Sequence, residues 1–382
     1  MTDFIIRKIE GTLQQQDLED IGFSKSYNEA MLSKSDFIKI KIFDLTVIQA
    51  NILKQTALSK GCDCAVHAGC LNNAVEKTDA ILFGTKAQFE QIADTLKKQQ
   101  FNMSELSNEI YRAAKQVILR DTPRIMGILN LTEDSFSDGG KYLKFEDAIS
   151  HTKEMIEQGA DIIDIGAEST RPGADEIPPF KQIERIMPVL KELLNLYPKM
   201  SYSVDTRSSI VAQEVLKLDK NIIINDVSGL CFDSNMADVI AGNQAKIVIC
   251  HSSSIPKNMQ DKTNYKNIVD DIYKFFVDKI DLLTSKGLPK EKIILDLGFG
   301  FGKTVEQNFE LIKKSKEFLS LGCTILAGIS RKSFIQKTVP NGDFDILTAA
   351  LCAELLLKGT TIFRVHQVRK TKEVLELFKK LY

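Results

Sequence analysis

The chain has 382 residues, 43% of them hydrophobic, and a formal net charge of −1. That length exceeds one typical domain and predicts two, with enough apolar material for a substantial core. The balanced charge argues against a nucleic-acid surface or an acidic tail, and no apolar run reaches the ~18 residues of a membrane span. The N-terminal MTDFIIRKIEG lacks the apolar centre of a signal peptide, so a soluble cytoplasmic protein is expected.

Residues 1–118 read as a small α/β domain. Phe37 to Phe43 alternates like a strand, and Gln49 to Lys60 reads as a helix stopped by Gly61. Asp79 to Gly84 holds a short strand and Ala87 to Gln99 another helix. Within this region Cys62, Cys64, His67 and Cys70 place four soft ligands in nine residues. Structural zinc normally takes two ligand pairs separated by a longer loop, so a buried strand with Cys62, Cys64 and Val66 on one face is the favoured reading over a metal site. The seven cysteines form no disulfide-like framework.

A boundary is expected near Asp121-Thr122-Pro123, because proline disfavours helix at the residue before it. From there, over 119–382, short β-branched strands alternate with amphipathic helices. The strands are Ile125–Leu129, Ile162–Ile165, Ser201–Val204, Ile222–Ile224, Ile247–Cys250, Ile293–Leu295, Thr324–Ala327 and Thr361–Val365. Helices are expected over Phe145–Gln158, Phe180–Leu196, 208–217 and 266–286, and after the later strands. Eight strand–helix units predict a closed (β/α)8 TIM barrel beside the small N-terminal α/β domain. An open doubly wound sheet is the runner-up, but its glycine fingerprint is missing after the first barrel strand.

In such a barrel the active site lies at the C-terminal ends of the strands. Those ends carry Asn130, then Asp134 and Phe136; Glu168 with Ser169-Thr170-Arg171-Pro172-Gly173; Asp205; Asn225-Asp226; His251; Asp296; Ser330-Arg331-Lys332-Ser333; and Arg364 with His366. A single Asp after a strand is most often a helix cap, so the signal is the set on one rim. The basic residues after the last two strands suit a phosphate group, while Asp205, Asn225 and Asp296 suit a polar heterocycle. ILDLGFGFGKT imitates a nucleotide phosphate loop but misses it, because only three residues separate Gly298 from Gly302. Phe299 and Phe301 either border an aromatic ligand or pack in the core.

MGILNLTEDSFSDGG, DIIDIGAESTRPGA, SVDTR, INDVSG, LDLGFGFGKT, GISRKS and RVH, in that order over residues 125 to 366, together resemble the dihydropteroate synthase family. The N-terminal region resembles an extension found on some bacterial members. The resemblance implies condensation of hydroxymethyl-dihydropterin pyrophosphate with para-aminobenzoate, Mg2+ as cofactor, and a homodimer with no nucleic-acid or membrane partner. It also implies that Asp205, Asn225, Asp296 and Lys332 hold the pterin, and that Asn130, Arg364 and His366 hold the pyrophosphate, with Asn130 on the metal. Phe136, Thr170, Arg171, Pro172, Phe301 and Ser333 would form the para-aminobenzoate pocket. Asp134, Arg364, His366 and Lys332 would carry the catalysis, with Asp134 stabilising a cation as its loop closes. Glu133, Leu297 and His251-Ser252 depart from the family pattern without removing any of these residues. A folate-linked methyltransferase would keep the three pterin residues without an anion site, and a non-catalytic pterin-binding protein would need neither loop nor anion residues.

Overall fold

The computed structural model describes residues 7, 13–115, 122–131, 141–168, 176–252 and 264–381. The chain forms two compact units, Met1–Val117 and Ile118–Tyr382.

In the first unit, β1 (Phe37–Thr46), β2 (Asp63–Val66) and β3 (Lys77–Thr85) form an antiparallel sheet in the order β1-β3-β2. Two of its strands pass straight into helices by the same device. Thr46 caps the helix Val47–Ser59 and Thr85 caps the helix Lys86–Leu96, each with a glutamine three residues on that returns a bond to the cap. Such a cap is worth about 1 kcal/mol, and it fixes where strand becomes helix. β3 alternates strictly, burying Thr78, Ala80, Leu82 and Gly84, and Ala80 and Leu82 join a core with Leu53, Phe89, Ile92 and Leu96.

A further helix of this unit, Met103–Lys115, was not anticipated from the sequence. Its buried positions Met103, Ser107, Ile110 and Ala114 keep helical spacing, but Ser107 interrupts the apolar stripe. That hydroxyl is satisfied by donating to the Ala93 carbonyl at 2.7 Å. Of the cysteine cluster, Cys64 lies buried on β2, where burial pushes its thiol up to about 11, while Cys62 precedes the strand and Val66 is half-buried. His67 uses Nδ1 to accept the Gly69 N–H. No group of three or more His, Cys, Asp or Glu among the described residues is placed to hold a metal.

The second unit is a closed, all-parallel barrel in which neighbours follow chain order. Its strands are β4 (Arg124–Asn130), β5 (Ile162–Gly166), β6 (Ser201–Asp205), β7 (Ile223–Asp226), β8 (Ile247–Cys250), β9 (Ile293–Asp296), β10 (Thr324–Ala327) and β11 (Ile362–Val365). Met126, Ile162, Ile223, Val248, Ile294, Leu326 and Ile362 form a separate apolar cluster, the plug inside the barrel. The larger core, including Ile163, Ile165, Val204, Ile224, Ile249 and Leu295, lies between sheet and helices. Side chains alternate along a strand, so the inward position after each plug residue lies two residues later. Those positions are Ile128, Asp164, Asn225, Cys250, Asp296, Gly328 and Arg364. The barrel turns from apolar plug to polar mouth within one step of the pleat.

No helix among the described residues is long and apolar enough to cross a membrane.

Candidate active site

The mouth is organised around one guanidinium. Arg364 on β11 places Nε 2.6 Å from Asp164 Oδ2 and Nη2 2.9 Å from Asp205 Oδ2. Asp164 is fully buried on β5, and Asp205 ends β6. Burial works against the Arg364 charge, but the two carboxylates outweigh it and raise its pKa above the usual arginine value. The same Asp164 oxygen accepts the Asn225 carboxamide N–H at 3.2 Å, which turns that amide inward from β7.

Strand register sets the rest. Asn130 pairs with Gly166, Gly166 with Asp205, and Asp205 with Asn225, so these residues follow one another around the rim. Gly166 opens the rim there: a Cβ would lie 3.4 Å from the Asp205 Cβ. Asp296 ends β9 and is 6% exposed. Burial raises its pKa, and the Gly298 N–H at 2.8 Å on Oδ1 opposes the rise. Burial also raises Asp205, against the pull of Arg364.

Lys332 precedes the helix Ser333–Thr338 and lays its ammonium 3.7 Å from the centre of the Phe301 ring. Burial lowers its pKa. His366 sits one residue beyond β11. Ser330 Oγ accepts the His366 backbone N–H at 3.3 Å and meets ring Nδ1 at 2.9 Å. Which of the hydroxyl and the ring nitrogen donates follows the tautomer of the ring. Burial first, then Arg364, pulls the His366 pKa down to about 4.

The expected residues Asn130, Asp205, Asn225, Asp296, Lys332, Arg364 and His366 all lie at this end of the barrel; Phe301 follows β9, and Ser333 is exposed at the start of its helix. Asp134, Phe136, Thr170, Arg171 and Pro172 lie outside the described residues.

Two residues of the rim turn away from the mouth. Phe299 is 1% exposed and packs in the outer core, so only Phe301 borders the mouth. Arg331, read as a phosphate ligand, takes a left-handed backbone (φ 55°) and forms a two-point bond with Asp345 at 2.8 and 3.1 Å. That pairing leaves Arg364 and Lys332 as the cations of the last two strands.

Sequence reasoning gave no role to Asp164, Arg207 or Lys303. Asp164 was detectable as a charge two residues beyond plug residue Ile162. Arg207 pairs with Glu168 through Nη2 at 2.8 Å and Nε at 3.2 Å, stacked 3.9 Å from the Phe232 ring. Glu168 also accepts the Ile177 N–H at 3.3 Å, which ties the segment after β5 to the start of the next helix.

A carboxylate set beside an amide can pair with the N–H groups of a flat heterocycle, and the cation pair Arg364 and Lys332 can hold an anion beside it. The fold and this mouth define a closed parallel barrel whose C-terminal rim sets buried carboxylates and an amide beside two cations.

The sequence profile of the pterin binding enzymes matches residues 126–366. A probable bifunctional folylpolyglutamate synthase/dihydropteroate synthase from Haloferax volcanii is 34% identical over 344 residues, covering 84% of this chain, a span longer than the barrel unit. The chain spans only 40% of that relative's length. The dihydropteroate synthase of Haemophilus influenzae is 37% identical over 259 residues, 67% of this chain and 93% of that protein. Among solved structures, the dihydropteroate synthase of Clostridium difficile in the presence of pteroic acid matches with a TM-score of 0.65 and 41% identity, over 70% of this chain and 99% of that one. The chain belongs to the pterin-binding enzyme family, in its dihydropteroate synthase branch.

Proposed function

We propose that the chain is a dihydropteroate synthase that joins hydroxymethyl-dihydropterin pyrophosphate to para-aminobenzoate, giving dihydropteroate and pyrophosphate. The observation that carries this reading is the mouth itself: Asp205, Asn225 and Asp296 beside Arg364, Lys332 and His366 supply acceptors for a pterin and donors for a diphosphate. Membership of the dihydropteroate synthase branch supports it. A methyl transfer to a pterin would leave the diphosphate donors without a partner.

In this reading Asp296 accepts a pterin ring N–H through its free oxygen, since Oδ1 already takes the Gly298 N–H. Asn225, oriented by Asp164, offers its amide oxygen and second N–H. Lys332 donates to the pterin, and the Phe301 ring beside it lines the arylamine side, with Ser333, Phe136, Thr170, Arg171 and Pro172 completing that pocket. The bond between the pterin methylene carbon and the diphosphate oxygen breaks, and its electron pair leaves with the oxygen. Arg364 and the His366 ring stabilise that developing charge. Asp134 stabilises the positive charge left on the methylene. The arylamine nitrogen then forms the new C–N bond and releases a proton to solvent.

Asn130 is half-buried at the end of β4, and its carboxamide makes no hydrogen bond to a described residue. One neutral protein oxygen beside substrate phosphates is a donor set that Mg2+ accepts. Asn130 would therefore hold Mg2+ together with the diphosphate, and the ion would supply charge neutralisation there.

A cytoplasmic homodimer, open to sulfonamides that mimic para-aminobenzoate, completes the proposal. The test is pyrophosphate release measured with both substrates and Mg2+, then with each omitted. Release that requires all three supports the reading; no release with all three present contradicts it.

A further inference from the structure

The Gly298–Gly302 turn follows Asp296 at the end of β9 and carries Phe301 to the mouth, yet no carboxylate among the described residues forms an ion pair with the lysine that closes it. Lys303 is 5% exposed. Its ammonium lies 2.7 Å from the Gly298 carbonyl, 3.0 Å from that of Phe301 and 3.3 Å from that of His251. It also lies 3.1 Å from His251 Nδ1. Three N–H donors thus face four partners, three backbone carbonyls and one ring nitrogen, gathered around one point.

That convergence depends on the backbone. Gly298, Gly300 and Gly302 take φ of 68°, 81° and 57°, in the left-handed region open to glycine. A Cβ on Gly298 would lie 1.9 Å from the His251 carbonyl oxygen, and one on Gly300 would press on the Lys332 stem at 3.1 Å. The turn is therefore fitted between the end of β8 and Lys332. From β8, His251 packs edge-on against Phe275, with ring centres 5.0 Å apart, and the Tyr265 hydroxyl donates to the Gly302 carbonyl at 3.3 Å. A buried cation held only by dipoles is a poor stabilising device, so its value lies in the shape it imposes.

Resting on the synthase reading above, we infer that Lys303 is a positioning residue: its ammonium gathers the carbonyls of Gly298, Phe301 and His251 and so sets the turn that aims Asp296 and Phe301. Gly298 links the two halves, since its N–H holds Asp296 while its carbonyl holds Lys303. The effect falls on the arylamine side, because Phe301 is carried by the turn itself and meets Lys332 through its ring, whereas the pterin keeps Asp205 and Asn225 on neighbouring strands.

Burial also pulls the Lys303 pKa down to about 7. The titratable groups around it are His251 and Cys250 on the β8 side, Asp296 on β9, Lys332 from the far side and Tyr265 at the turn. Above neutrality a neutral amine keeps two donors and loses its charge, so its hold on these carbonyls weakens and the turn loosens.

The test compares wild type with Lys303→Met, which keeps the stem and removes the donors. Amide exchange of peptides covering 297–304 is expected to quicken about tenfold or more, with the strands β4 to β7 unchanged. The KM for para-aminobenzoate should rise about tenfold, while that for the pterin pyrophosphate stays within about threefold. In wild type the para-aminobenzoate KM should climb between pH 7 and 9, and the variant should be flat. Exchange unchanged at the turn, exchange raised throughout the barrel, or equal movement of both KM values would each overturn the proposal. A pH climb that persists in the variant would assign the effect to Lys332 instead and overturn it too. If wild type shows no turnover, the synthase reading fails on its own, and the exchange comparison still decides the role of Lys303.

Discussion

Arg364 bonds Asp164 across 200 residues of sequence, Nε to Oδ2 at 2.6 Å, and the Asp164 oxygen that receives it also receives Asn225. One buried carboxylate thereby orients both the expected diphosphate ligand and the expected pterin ligand. The anion and heterocycle halves of the mouth are parts of one network.

Removing the cation should damage both stability and chemistry. Arg364→Ala leaves Asp164 and Asp205 buried without their partner, which is expected to cost about 3–5 kcal/mol in denaturant unfolding. It should also lower kcat/KM by about a hundredfold or more, as loss of a charge-stabilising donor does. Arg364→Lys, which keeps the charge but not the fork, should fall between the two on both measures.

Asp296→Asn retains the oxygen for Gly298 and removes the negative charge. Affinity for a pterin, measured by calorimetry without the second substrate, should drop by roughly tenfold to a hundredfold, the range for losing one charge-assisted hydrogen bond. The fold should survive, with an unchanged circular dichroism spectrum. Undiminished pterin affinity would remove Asp296 from the site.

His366 gives a pH signature with a definite sign. Its folded pKa is about 4, below the ordinary 6.5. Between those values the unfolded chain binds a proton that the folded chain does not, so this group makes stability rise with pH across that window and fall on acidification through it. His366→Asn should flatten the slope there. Diphosphate binding should pull the pKa back up, so at pH 5.5 calorimetry in buffers of different ionisation enthalpy should register proton uptake on binding. Proton release would contradict the placement of His366 beside the anion.

The Cys62–Cys70 stretch should carry no metal. Elemental analysis of the purified protein is expected to find no stoichiometric zinc, in keeping with the absence of a ligand group there. One zinc per chain would overturn this.

The barrel was legible because its strands are short and rich in β-branched residues and most carry a polar residue at or just beyond their C-terminal end, a pattern that the parallel fold repeats around the barrel. The mouth was legible at strand ends for the same reason. What stayed hidden lay inside elements or depended on backbone twist. Asp164 sits within a buried strand, where a lone charge among isoleucines reads as part of the run. Arg331 looked equivalent to Lys332, but its left-handed backbone sends it to Asp345. Phe299 and Phe301 share a turn of alternating glycines, and only the three-dimensional path tells which faces the core. Lys303 looked like part of a failed phosphate loop, yet its partners are the carbonyls of its own turn.

The central claim is that one barrel mouth binds a pterin diphosphate and transfers its methylene carbon to an arylamine. The most direct measurement is quantitation of dihydropteroate and pyrophosphate from pterin pyrophosphate, para-aminobenzoate and Mg2+, in wild type and Arg364→Ala. The account predicts equal amounts of the two products from wild type and a sharply reduced yield of both from the variant. Pterin binding without formation of dihydropteroate, or full activity in the variant, would contradict it.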